Sequence, residues 1–86
     1  MKSHANAKFW AHYHTLPHPA QAQAQKQYRL WLRDPAHPSL HFKPVGSFWS
    51  VRITKSIRAL GVRDGETMIW FWIGPHDGYE RIIREE

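Results

Sequence analysis

His76 and Tyr79 stand three residues apart just after an apolar run, and Arg52 and Arg58 lie in the two stretches before it. That combination suits a phosphodiester. RNA is cut without a metal when one group removes the 2′-OH proton, so that the oxygen attacks the adjacent phosphorus, and another protonates the departing 5′-oxygen. A cation then steadies the charge on the phosphoryl oxygens. His76 is the candidate for proton transfer, because an imidazole titrates near neutral pH. Arg52 and Arg58 are the candidate phosphate clamps, their planar forks suiting bidentate contact. Tyr79 can hydrogen-bond the phosphate or stack on a base. Lys55, between the two arginines in sequence, adds charge, and Lys43 and Arg63 extend the basic set as RNA contacts. Each residue also has a packing alternative. His76 then caps a loop after Gly74-Pro75, the arginines pair with carboxylates in solvent, and Tyr79 closes the core with Ile82 and Ile83.

Other constellations are weaker. His12 and His14, two apart, point to different sides of a helix, and Pro38 intervenes between His37 and His41 without any supporting carboxylates. Neither a glycine-rich phosphate loop, a G-x-S-x-G elbow nor a helical H-E-x-x-H occurs. No metal or cofactor is expected. The chain has no cysteine, which excludes disulfides and thiolate metal sites. Its longest apolar run, Met68 to Ile73, suits one buried strand and not a membrane span. Met1-Lys2-Ser3-His4-Ala5-Asn6 lacks the hydrophobic segment of a secretory signal, so a cytoplasmic protein is expected. The formal net charge of +5 is uneven: residues 1–63 carry ten Lys and Arg against Asp34 alone, whereas residues 64–86 are net acidic. A basic body of this kind attracts a polyanion.

The elements that must position these side chains follow from periodicity. Phe9, Trp10, Tyr13 and Leu16 recur at helical spacing and predict a helix over about 5–15, stopped by Pro17 and Pro19. A second helix is expected from about Pro19 to Arg33, with Ala20, Ala24, Tyr28, Trp31 and Leu32 as its buried face. Asp34 to Pro44 reads as an ordered crossing loop anchored by Leu40 and Phe42. Three strands follow: Phe48 to about Thr54 with Arg52 facing away from the apolar set, Ile57–Val62, and Thr67–Ile73, which is apolar on both faces. Asp64-Gly65 signals the hairpin between the last two. Residues 77–86 fit either a short helix or an edge strand. The expected architecture is one α+β domain over 1–86, with two N-terminal helices packed on one face of a small, three- to four-stranded antiparallel sheet.

At this level the chain resembles the RelE/ParE superfamily of bacterial toxin–antitoxin modules, on its RelE-like side. Three blocks carry the resemblance. The first is Phe9-Trp10-x-x-Tyr13-x-x-Leu16-Pro17 with Tyr28-x-Leu30-Trp31 and Asp34-Pro35-x-His37-Pro38-Ser39-Leu40-x-Phe42-Lys43. The second is Trp49-Ser50-Val51-Arg52-Ile53 with Arg58-Ala59-Leu60-Gly61-Val62, and the third Trp70-Phe71-Trp72-Ile73-Gly74-x-His76-x-x-Tyr79. Together they span about residues 8–83. The resemblance implies ribosome-dependent cleavage of mRNA, a cognate antitoxin that wraps the toxin, and contact with operator DNA only through that complex. It also implies that Arg58 contacts the scissile phosphate, that Arg52 is the basic residue of the preceding strand, that His76 occupies an Arg/His position at the end of the last strand, and that Tyr79 is the C-terminal aromatic. Three departures accompany it. Many relatives open with a strand, for which this chain leaves almost no room. Lysine-rich members carry two lysines where Ser50 and Arg52 stand, and members with a glutamate base have no obvious counterpart here. Two other activities fit the same resemblance: ParE-like inhibition of DNA gyrase without cleavage, and antitoxin binding by a degenerate relative without activity.

Overall fold

Two glycine turns fold the centre of the sequence into a meander. The computed structural model describes residues 1–85. Along the chain run β1 (Lys2–Ala5), α1 (Ala7–Tyr13), α2 (His18–Arg33), β2 (Lys43–Val45), β3 (Phe48–Arg52), β4 (Ile57–Asp64), β5 (Thr67–Pro75) and α3 (His76–Arg84), with a 3₁₀ turn at Pro38–Leu40. The strands make one sheet in the order β1-β5-β4-β3-β2. Asp64 pairs with Thr67, so Gly65-Glu66 is the two-residue loop, and Gly65 takes the positive φ of 61° that such a turn demands.

The face toward α1 and α2 carries the main core. Tyr13, Leu16, Ala24, Trp31, Leu40, Val51, Ile53, Ala59, Met68, Trp70 and Ile73 are buried there together. Leu60 and Trp72 pair across β4 and β5 and are equally buried, yet they lie outside that cluster, on the opposite face. A bulge explains how Trp70 and Trp72, two apart in one strand, reach opposite faces. The β4–β5 register shifts between Leu60 and Gly61, which inserts Phe71 as an extra residue and inverts the side-chain alternation.

The α+β architecture with two helices on one sheet face stands as the sequence implied, with a larger sheet and three corrections. First, a strand does precede the helices. Lys2–Ala5 pairs in parallel with Thr67 to Trp70, anchored by Lys2 N–H donating to Glu66 O at 2.8 Å and Asn6 N–H to Trp70 O at 3.0 Å. It was hidden because its side chains are small and polar; as an edge strand it needs only Ser3 and Ala5 over the core. Lys43–Val45, read as the end of a loop, is the opposite edge, where Pro44 is tolerated. Second, α1 is shorter than expected, because the Asn6 side chain caps it by accepting from Phe9 N–H at 3.0 Å. Third, the buried line of α2 is Ala24, Gln27 and Trp31, while Tyr28 and Leu32 sit one residue off it and are exposed. Trp10, assigned to the apolar stripe of α1, is also exposed. The C-terminal segment resolves as the helix α3, with Glu86 outside the described residues.

Candidate functional site

The register of β3 and β4 puts Arg52 directly opposite Arg58. Their neighbours Val51 and Ala59 point into the main core, so both arginines project from the other face. Like charges placed directly across two strands destabilise a sheet. Among the described residues neither guanidinium has a carboxylate within ion-pair distance. The pair is therefore held together by the backbone and not by neutralisation. Arg58 is fixed further: its Nη1 donates to Thr54 O at 2.7 Å and lies 3.2 Å from Ile57 O, closing the turn between the strands. Burial, and after it the charge of Arg52, lowers the Arg58 pKa below the usual arginine value, with Tyr79 acting in the opposite sense.

Helix α3 brings the second half of the site over this face. It can approach because Gly74 and Gly78 leave space for the Trp72 ring; a Cβ at Gly78 would stand 2.9 Å from that ring, and one at Gly74 2.7 Å. His76 opens the helix, its N–H donating to Ser56 O at 2.9 Å, which ties α3 to the same turn that Arg58 closes. The rings of His76 and Tyr79 lie 5.4 Å apart. Arg52 stands opposite Arg58 across β3 and β4, Tyr79 acts electrostatically on Arg58 from α3, and the ring of His76 lies beside that of Tyr79.

Two of the three further basic candidates share this neighbourhood. Lys55 is exposed in the turn closed by Arg58, and Lys43 pairs with Ser50 on the face that bears Arg52. Arg63 does not join them. It pairs with buried Met68, its guanidinium rests 5.6 Å over the Trp49 ring, and its Nε donates to Gly65 O at 3.0 Å. Trp49 packs against the main core, so Arg63 belongs to the helix-covered side, at the hairpin end of the sheet.

Sequence reasoning missed one member. Glu80 Oε1 lies 3.3 Å from His76 Nδ1, and its other oxygen lies 3.4 Å from Arg84 Nη2. A carboxylate at Nδ1 favours the tautomer that keeps a proton there and leaves Nε2 as the acceptor. The spacing His76-x-x-x-Glu80 was visible, but it signifies contact only once the segment is helical. Among the described residues no group of His, Asp and Glu is arranged to hold a metal, and no helix is long and apolar enough to cross a membrane.

No protein-family model matches the chain, and no curated protein matches it significantly. Solved structures do. The RelB–RelE antitoxin–toxin complex from Methanococcus jannaschii contains a chain that superposes with a TM-score of 0.73 at 10% identity, over 92% of this chain and 96% of that one. The RelBE2 toxin–antitoxin complex from Mycobacterium tuberculosis gives 0.69 at 18% identity, over 87% and 96%. The YoeB/ParE toxin from Agrobacterium tumefaciens gives 0.66 at 19%, over 88% and 99%. The fold is that of the RelE/ParE toxins.

Proposed function

We propose that this protein is the toxin of a type II toxin–antitoxin module that cleaves mRNA on the ribosome and is neutralised by a cognate antitoxin. The observation that carries this reading is the arginine pair, opposed across two strands without a carboxylate partner among the described residues and flanked by His76 and Tyr79. An anion between Arg52 and Arg58 relieves their repulsion, and a scissile phosphate is such an anion. In this role the two forks neutralise the phosphoryl oxygens as the 2′-oxygen attacks. His76, oriented through Nδ1 by Glu80, serves proton transfer at Nε2, and Tyr79 stacks on a base or donates to the phosphate. A single imidazole leaves much of the acceleration to in-line alignment of the 2′-OH, which binding of the message in a ribosomal site supplies. Two of the solved structures that share the fold are toxin–antitoxin complexes, which supports an antitoxin partner. Half-buried His76 and exposed Glu80 leave the site open to a large substrate.

The test is inducible expression in bacteria, wild type beside His76→Ala, with primer extension on a reporter mRNA. The expected result is growth arrest with codon-phased cuts, reduced by about 10²-fold or more in the variant, the scale of an acid–base group. Arrest with intact mRNA and inhibited supercoiling by the purified protein would replace this reading with gyrase inhibition. Normal growth together with tight antitoxin binding would replace it with a relative that only binds.

A further inference from the structure

The turn over residues 54–57 does more than join β3 to β4. Each of its backbone carbonyls accepts from a residue of the candidate site. Thr54 O, Lys55 O and Ile57 O lie 2.7, 3.4 and 3.2 Å from Arg58 Nη1, and Ser56 O accepts from His76 N–H at 2.9 Å. Among the described residues the hydrogen bonds of the Arg58 guanidinium all leave from Nη1. Its Nε–Nη2 edge is thereby left for the two oxygens of a phosphate, the side-by-side geometry of bidentate contact.

One side chain shapes that turn. Thr54 Oγ1 accepts from Ser56 N–H at 3.2 Å and from Ile57 N–H at 3.1 Å. A hydroxyl that takes backbone donors two and three residues on builds a turn from its side chain, and the branched Cβ of threonine restricts the rotamer that does so. Such a turn by itself would only close a hairpin. Here the two N–H groups belong to the peptides whose carbonyls are Lys55 O and Ser56 O. A trans peptide is planar, with its N–H and C=O pointing opposite ways, so holding the one aims the other. We propose that Thr54 is a positioning residue of the site: its hydroxyl oxygen orients two peptide planes, one presenting Lys55 O to Arg58 and the other Ser56 O to His76, and so fixes the phosphate-binding fork relative to the imidazole. Its effect on rate rests on the proposed cleavage of mRNA, whereas its effect on the turn does not.

Thr54→Val keeps the shape of the side chain and removes the oxygen. In the full chain, amide exchange followed by NMR should quicken by about tenfold or more at Ile57 and His76, and stay within about twofold at Asn6, whose N–H donates to Trp70 O on the β1 edge of the sheet. Equal quickening at Asn6, or none at His76, overturns the proposal. In a translation mixture with a reporter mRNA, kcat should fall by about 10- to 100-fold, up to the scale of misplacing a reacting group by about 1 Å, while KM stays within about twofold because the hydroxyl is turned to the backbone. Thr54→Ser retains the oxygen and should keep kcat within about threefold of wild type. Wild-type kcat in Thr54→Val overturns this role and leaves the cleavage reading standing. A message left uncut by wild type overturns the cleavage reading, and the role in catalysis with it. Should Thr54→Val fail to fold, Thr54→Ser decides: a kcat more than about tenfold below wild type, despite the retained oxygen, overturns the proposal.

Discussion

The two faces of the sheet are built on opposite terms. Under α1 and α2 the core side chains are apolar and aromatic, the Tyr13 hydroxyl accepting from Gln25 Nε2 and buried Gln27 donating to Arg52 O, while two indole N–H groups have no partner among the described residues. Under α3 a small core of Leu60 and Trp72 sits beside two arginines that repel one another. One face holds the larger core, and the other retains a juxtaposition that a bound anion would make favourable. Local violations of the rules that stabilise folds concentrate where function is. The opposed arginines are one such departure, and they are the observation on which the proposed function rests.

The comparison breaks most visibly on the core face. Trp70→Ala removes a buried indole and should cost about 3–5 kcal/mol, a large part of the stability of a small domain. Thermal melting followed by circular dichroism should show a fall well above 10 °C, and a fall of only a few degrees would mean that this face is not the stabilising one. Arg58→Ala should do the reverse, lowering mRNA cleavage by about 10²-fold while the fold persists. Wild-type cleavage in that variant would move the site elsewhere. Glu80→Gln should act weakly, since an exposed pair of this kind contributes about 0.2–1 kcal/mol, and cleavage rates should drop about two- to fivefold. A loss comparable to that of His76→Ala would make Glu80 itself a proton-transfer group.

The smallest effect has the opposite sign. Arg52→Gln removes a like charge opposed across two strands, worth about 0.2–1 kcal/mol, and should raise the melting temperature by about 1–5 °C. Folding lowers the Arg58 pKa, so the protonated side chain costs stability at every pH below that value, and the cost would be recovered only as pH rises through it. Arginine side chains do not titrate between about pH 5 and 9, so the stabilisation by Arg52→Gln should be flat there. Added inorganic phosphate should raise the melting temperature of wild type more than that of the variant. A lower melting temperature in Arg52→Gln would show that the repulsion has been overstated.

Much of this was legible because apolar alternation and turn chemistry are local. Val51, Arg52 and Ile53 announce their faces within three residues, and Asp64-Gly65 announces the hairpin. The row Arg52, Arg58, His76 and Tyr79 could be assembled from strands read this way. Other features depend on partners distant in sequence. Lys2–Ala5 has no periodicity of its own and becomes a strand only against β5. The Phe71 bulge, which sends Trp72 to α3, leaves no mark in a continuously apolar run. Arg63 was grouped with the other cations by charge, and only the register shows that it lies on the far face. Glu80 waited on the secondary structure of the tail.

The parallel pairing of β1 with β5 has a consequence for the order of synthesis. Lys2 is synthesised before both helices, yet its partner Thr67 only after β4. At about 5–20 residues per second, several seconds separate the two. Throughout that interval α1 and α2 lack β5, whose Met68, Trp70 and Ile73 complete the core beneath them, and Arg58 has neither His76 nor Tyr79 beside it. The pairing of β1 and the approach of His76 and Tyr79 to Arg58 therefore both wait on the same stretch of chain, β5 and α3.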